Sequence, residues 1–377
     1  MSALLDTYAA WPFELDHGRN DVVVSADGVA YTDWYGGHCV TLTGHCHPHV
    51  VGAIKAQADK LLFYSAAARL SIRERAADAL IAHLAGAGVE RVFFCNSGAE
   101  ANENALKMAL KATGRKRIAC FEGGWHGRTL LALSATDDPK IVAPFAPFLV
   151  PATQLPFNDI GALLATNFSD IAAVIVEPIQ SMSGIRTASS AWWQTLRART
   201  AAAGTWLIID EIQTGLGRVG ASSASLLMGI KPEAMTLAKG LASGMPIGAT
   251  LFSASAASTI RQGDLGSTFG GGPLAMAALI ATLEVIADED LIERAARTGA
   301  LLKAQLPGAA VASVLGEGML LGLRTHEPGA SLKKHLYDRR MLVGASGDPH
   351  VLRLMPPLTI SDDAVAALTS AINELGA

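Results

Sequence analysis

The chain has 377 residues, of which half are hydrophobic and 17% charged, with a formal net charge of −4. That apolar content excludes a disordered chain. The acidic balance, with no run of Lys or Arg, argues against a nucleic-acid surface, and no stretch reaches the roughly 18 uninterrupted apolar residues that cross a bilayer. The length predicts two domains, with small molecules and other subunits as partners.

The opening residues Met1-Ser2-Ala3-Leu4-Leu5-Asp6 lack a basic segment followed by an apolar core, so no signal peptide is expected. Cys39, Cys46, Cys95 and Cys120 form no CxxC pair and read as free thiols in a reducing compartment, which makes the cytoplasm the expected location. Val22-Val23-Val24 is strand-like. The cluster His45-Cys46-His47-Pro48-His49 invites a metal, but adjacent side chains converge on one ion only through an irregular loop. It reads instead as a turn after Gly44 that enters a helix near Val50, and no metal is expected. Strands follow at Arg91–Cys95, Arg117–Phe121 and Ile171–Val176, then at Thr205–Asp210, Met235–Ala238 and Ile247–Leu251. Helices at Glu100–Lys111 and Trp192–Ala202 lie between them. This alternation predicts an α/β fold with a mostly parallel central sheet. Beyond about residue 270 the pattern becomes α+β. Helices span Leu274–Ile286 and Leu291–Gln305, short strands lie around Ala310–Leu323, and a helix runs near Leu332–Arg340. A strand at Val351–Leu354 and a helix from Asp362 finish the chain. The expected organisation is an N-terminal segment (1–44) packing with the small domain, a large domain (45–265) and a small C-terminal domain (266–377).

Asp210 and Lys239 carry the chemistry. Asp210 ends the apolar run Trp206-Leu207-Ile208-Ile209, so its carboxylate points into the crevice at the carboxyl ends of the strands. Lys239, between Leu237-Ala238 and Gly240-Leu241, is poorly solvated, which favours a neutral, nucleophilic amine. Together they suggest an aldehyde cofactor bound to the lysine, with its ring nitrogen on the aspartate. Asn96-Ser97-Gly98-Ala99-Glu100-Ala101-Asn102 joins a strand to a helix through small residues. It fits a phosphate at a helix N-terminus as well as a plain capped helix. Its glycines follow neither GxGxxG nor GxxxxGK[ST], which disfavours nucleotides. Gly266-Ser267-Thr268-Phe269-Gly270-Gly271-Gly272 offers either a second phosphate contact or an interdomain loop. Phe121-Glu122-Gly123-Gly124-Trp125-His126-Gly127-Arg128-Thr129 reads either as a surface loop with an exposed arginine or as a stacking ring, an imidazole and a guanidinium fork suited to a carboxylate. His126 taken alone reads as a structural histidine.

These motifs, with Val176-Glu177-Pro178-Ile179-Gln180 and Gly44-His45-Cys46-His47-Pro48, run in one order over most of the chain and resemble the class III aminotransferases. Within these the likeness is to the acetylornithine and ornithine enzymes. The resemblance implies the aspartate aminotransferase fold (pyridoxal-phosphate fold type I), pyridoxal 5'-phosphate as cofactor, and a homodimer with active sites at the subunit interface. It matches Lys239 to the lysine that holds the cofactor's aldehyde, Asp210 to the partner of the ring nitrogen and Gln213 to a contact of the phenolic oxygen. Ser97, Gly98 and Ala99 match the phosphate turn, Trp125 the stacking ring with His126 beside it, and Glu177 a supporting acid. Thr268, with Ser267 beside it, matches a loop that reaches the phosphate of the other subunit. Arg128 and Arg353 match substrate-carboxylate arginines, and Tyr64 matches a residue at the site's entrance. Two positions depart from the pattern. Met182 stands where the family usually has glutamate, and His38 where ornithine-specific members tend to have tyrosine. The implied reaction moves an amino group from a small-molecule donor to a 2-oxo acid. N-acetylornithine with 2-oxoglutarate, in arginine biosynthesis, is the leading pair. Ornithine, succinylornithine, 4-aminobutyrate or acyl-lysine donors, and a non-catalytic homologue, are the alternatives.

Overall fold

Runs of β-branched and aliphatic residues bounded by glycine or polar turns form the strands of a central sheet. The computed structural model describes residues 3–8 and 10–376. Seven strands lie in the order Arg91–Cys95, Gly248–Phe252, Ala234–Leu237, Trp206–Asp210, Ile171–Val176, Arg117–Phe121 and Ala152–Leu155. Every residue of Ile171–Val176 and Trp206–Asp210 is buried, as a sheet covered on both faces requires. The helix Gly98–Thr113 covers one face through Ala105, Leu106, Met108 and Ala109. Ser190–Ala203 packs Trp192, Trp193 and Leu196 into the other face.

Pairing is parallel except around Gly248–Phe252, which runs antiparallel to both neighbours. The link between it and Ala234–Leu237 is too short for a crossover, so the chain reverses and returns alongside. Lys239 sits in that link, on the short 3-10 turn Lys239–Ala242. The edge strand Ala152–Leu155 and the helix Ser71–His83 are additions to the sequence-based expectation.

Beyond the sheet, the apolar helix Pro273–Asp288 packs against Pro48–Ala58 and Ser71–His83 within the largest core cluster. An antiparallel sheet follows, in the order Val311–Glu317, Leu320–Thr325, Val351–Leu354 and Gly344–Ala345. The two ends of the chain meet in a further sheet, where Met341–Leu342 pairs in parallel with Ala30–Asp33 beside Val22–Ser25 and Leu15–Arg19. Backbone hydrogen bonds from Met355 to Trp34 and from Leu358 to Leu42, each 2.8 Å, tie the same regions together. The buried carboxylate of Asp21 also accepts from the Ser361 amide at 2.9 Å.

Candidate active site

The carboxyl ends of the parallel strands open onto a cleft of about 1120 Å³. Ser97, Gly98, Ala99, Trp125, His126, Arg128, Glu177, Asp210, Gln213, Lys239 and Arg353 all line it, with His38 and Met182.

Asp210 is buried and held from three sides. Its Oδ2 accepts from Asn102 Nδ2 at 2.7 Å and from His126 Nδ1 at 2.8 Å, while Oδ1 accepts from the Ile212 amide at 3.1 Å. Asn102 also donates to the His126 carbonyl at 2.8 Å and accepts from Thr236 Oγ1 at 2.7 Å. Each member of this dry network has a partner, which fixes the carboxylate's direction. Asn102 lay inside the phosphate-turn motif, but its role was not foreseen. A polar residue on the apolar face of the Gly98–Thr113 helix was the available signal.

Lys239 lies just past the carboxyl end of the strand Ala234–Leu237 with φ +47, an uncommon backbone region for a residue other than glycine. Burial pushes its ammonium pKa down, opposed chiefly by Asp210. Glu177 is driven up to about 7, mainly by burial, while His126 and the 2.8 Å hydrogen bond from the Trp125 amide pull it down. Ser97 caps the Gly98–Thr113 helix by accepting from the Glu100 amide at 3.2 Å. The first-turn amides of that helix have no intrahelical partners and border the cleft. Gly127, at φ +134, lets the Trp125 loop approach Ala99, where a Cβ would come within 2.8 Å of the alanine methyl.

Two guanidinium groups line the cleft. Arg128 lies over the rings of Trp125 (5.3 Å) and Tyr8 (5.7 Å) and donates to the Tyr8 hydroxyl at 3.0 Å. Arg353 is 3% exposed, and it donates to uncharged groups: the Ala345 carbonyl (2.6 Å), Ser181 Oγ (3.1 Å) and Met182 Sδ (3.2 Å). The set suits a flat aldehyde that carries a phosphate and a basic ring nitrogen. A desolvated amine, a fixed carboxylate, a helix N-terminus and an indole ring line the same cleft.

Three residues named from the sequence lie outside this cleft. Ser267 Oγ accepts from Asn96 Nδ2 at 3.1 Å and from the Gly270 amide at 3.0 Å. Thr268 and Tyr64 are exposed on the surface, near the paired rings of Phe63 and Phe269. The histidines of the 45–49 cluster diverge. His45 pairs with Asp33, His47 with Glu289 and His49 with Glu284. The four cysteines are unbonded, and only Cys46 is exposed.

The chain belongs to the class-III aminotransferases, whose family model matches residues 6–375. Among individual proteins, it is 39% identical to the acetylornithine aminotransferase of Bacillus subtilis (strain 168), over 99% of this chain and 97% of that one. The structure matches the ornithine aminotransferase of Toxoplasma gondii ME49 with a TM-score of 0.91 and 30% identity, covering 99% and 92% of the two chains. It also matches a pyridoxal-phosphate-bound amine transaminase from an uncultivated Pseudomonas species with a TM-score of 0.90 and 27% identity, covering 100% and 98%. The expected transaminase fold is thereby borne out, and the chain is an aminotransferase. No helix among the described residues is long and apolar enough to cross a membrane.

Proposed function

We propose that this aminotransferase uses pyridoxal 5'-phosphate to move the terminal amino group of N-acetylornithine to 2-oxoglutarate, giving a semialdehyde and glutamate, as a step of arginine biosynthesis. The observation that carries this reading is the convergence of Lys239, Asp210, Arg128 and Arg353 on one cleft. Relatives named acetylornithine aminotransferase at 39% identity over nearly the whole chain support the choice of donor.

When bound, the cofactor supplies an aldehyde and a ring that takes up the electrons of a breaking C–H bond. The protein's part follows from its own groups. Lys239 Nζ, desolvated and shifted toward its neutral form, acts as the nucleophile. It would then move the proton from the substrate carbon that bears nitrogen to the carbon of the cofactor's aldehyde group. Asp210, fixed by Asn102 and His126, holds negative charge where a protonated ring nitrogen needs it. The first amides of the Gly98–Thr113 helix suit the phosphate, Trp125 the ring face and Gln213 the phenolic oxygen. Arg128 and Arg353 offer carboxylate forks to donor and acceptor.

The same reading assigns Thr268, with Ser267 and Tyr64, to the active site of a second copy in a homodimer. Their place outside their own cleft supports it. Domain limits near residues 44 and 265 and a cytoplasmic location, in keeping with four free thiols, complete the proposal. Glutamate formation from 2-oxoglutarate with N-acetylornithine, succinylornithine, ornithine or 4-aminobutyrate tests the donor. N-acetylornithine should give the highest kcat/KM, and a higher value for 4-aminobutyrate would overturn the assignment.

A further inference from the structure

The helix Ser71–His83 carries Arg73 in its first turn, where the helix dipole favours acids and a cation weakens the helix. The guanidinium is engaged elsewhere. Its Nη2 donates to the Tyr64 carbonyl at 3.2 Å and Nη1 to the Ala68 carbonyl at 3.3 Å. Nε donates to the Gly271 carbonyl at 2.9 Å, across 198 positions of sequence. Gly271 has φ +72, and a Cβ there would lie 2.8 Å from Arg73 Nε, so a side chain at this position would displace the arginine. One planar cation thus joins two loops: the connection between the helices Pro48–Ala58 and Ser71–His83, and the 266–272 loop. The rings of Phe63 and Phe269, 5.0 Å apart, add an apolar contact between the same two segments. The 266–272 loop is anchored separately on the sheet. Ser267 accepts from Asn96, and Gly270 sits so near Phe94 that a Cβ would lie 2.2 Å from its carbonyl oxygen. Thr268 stands between these anchors with its side chain exposed. Neither Arg73 nor any residue of the two loops lines the cleft of its own chain.

We propose that Arg73 is a positioning residue for the cofactor site of the other subunit. By fastening two loops of its own chain together, it holds Thr268 ready to meet the phosphate bound by a second copy. The inference rests on the homodimer reading above and names the group that orders the loop. The stretch Gly266–Gly272 has four glycines in seven residues, so left alone it samples many conformations. A loop ordered only on meeting the phosphate loses that freedom at the moment of binding and weakens it. A loop already clamped by Arg73 does not. The clamp needs arginine, because a rigid fork sends three donors in three directions, whereas lysine is a compact point charge on a flexible stem.

Release of pyridoxal phosphate from the diluted holoenzyme, followed by its visible absorbance, tests this with Arg73→Ala and Arg73→Lys. Arg73→Ala should raise the cofactor's Kd about tenfold, the effect of losing one hydrogen bond to a charged group. Arg73→Lys should recover only part of the affinity. If Arg73→Ala does not fold, Arg73→Lys carries the same comparisons, since it keeps the charge but not the fork. Because Arg73 acts through Thr268, the double variant with Thr268→Ala should bind the cofactor no more weakly than Thr268→Ala alone. Losses that multiply overturn the proposal. At limiting cofactor, Arg73→Ala subunits mixed with Lys239→Ala subunits should recover activity above either alone. Arg73→Ala mixed with Thr268→Ala should not, because the two changes damage the same loop. An unchanged Kd, or recovery of Lys239→Ala by Thr268→Ala subunits but not by Arg73→Ala subunits, overturns the role of Arg73 alone. If Thr268→Ala subunits also fail to rescue Lys239→Ala, the shared-site reading falls and this inference with it.

Discussion

Asp210 keeps its direction because its neighbours leave it no alternative. Its Oδ2 takes two donors, and one of these, Asn102, is itself tied to Thr236 and to the His126 carbonyl. Truncating Asn102 leaves Asp210 Oδ2 with His126 alone and strands the buried hydroxyl of Thr236. Asn102→Ala should therefore cost about 1–3 kcal/mol of stability. Thermal denaturation of the cofactor-free protein reads that loss, and a titration with pyridoxal phosphate should show weaker binding as Asp210 drifts. A variant with unchanged melting and unchanged affinity would remove Asn102 from the account. Lys239 is the sharper case. Lys239→Ala should abolish both turnover and the visible absorbance of a covalently held cofactor, and retained turnover would sink the proposed chemistry.

At the level of elements, the central strands were legible because their apolar runs are unbroken and buried from end to end, as in Ile171–Val176. Ala152–Leu155 was hidden because it is short, lies at the sheet edge and carries Thr153 and Gln154 between flanking prolines. The Ser71–His83 helix begins at Leu70 without a side-chain cap and was not visible either. Motif residues such as Lys239, Glu177 and Trp125 could be named from the sequence, since their chemistry is local to a strand end. Asn102 could not be assigned, because its partners stand 24 to 134 positions away. The left-handed turn at Gly36–Cys39 was half legible. Paired glycines announce positive φ, whereas His38 and Cys39 adopt it under compulsion from Asp33 and Met355. Gly36→Ala should destabilise the protein by at least about 1–3 kcal/mol, since the turn's φ and the Met355 carbonyl both oppose a methyl there. Urea unfolding measures it, and a neutral effect would show that the turn is not rigid.

Across the whole molecule, the raised pKa of Glu177 makes stability depend on pH. A carboxyl that prefers its protonated form when folded adds no penalty below the ordinary glutamate range. It weakens the fold progressively as pH rises through about 7. Glu177→Gln should flatten that decline in the cofactor-free protein, as melting temperatures between pH 5 and 8 would reveal; an unaltered slope assigns the decline elsewhere. The proposed homodimer also has a clear test at limiting cofactor. Mixing Lys239→Ala with Thr268→Ala subunits should recover activity above either alone, because an exchanged dimer contains one site free of both changes. No recovery after verified exchange would place Thr268 and Lys239 of one subunit in the same site. Finally, the strand Ala30–Asp33 leaves the ribosome long before its mate Met341–Leu342 exists. During synthesis the early β-hairpins must wait with a bare edge, open to pairing with another nascent chain. Removing the last forty residues should therefore yield insoluble protein and not a trimmed enzyme, with the fault lying at the opposite end of the polypeptide from the cut.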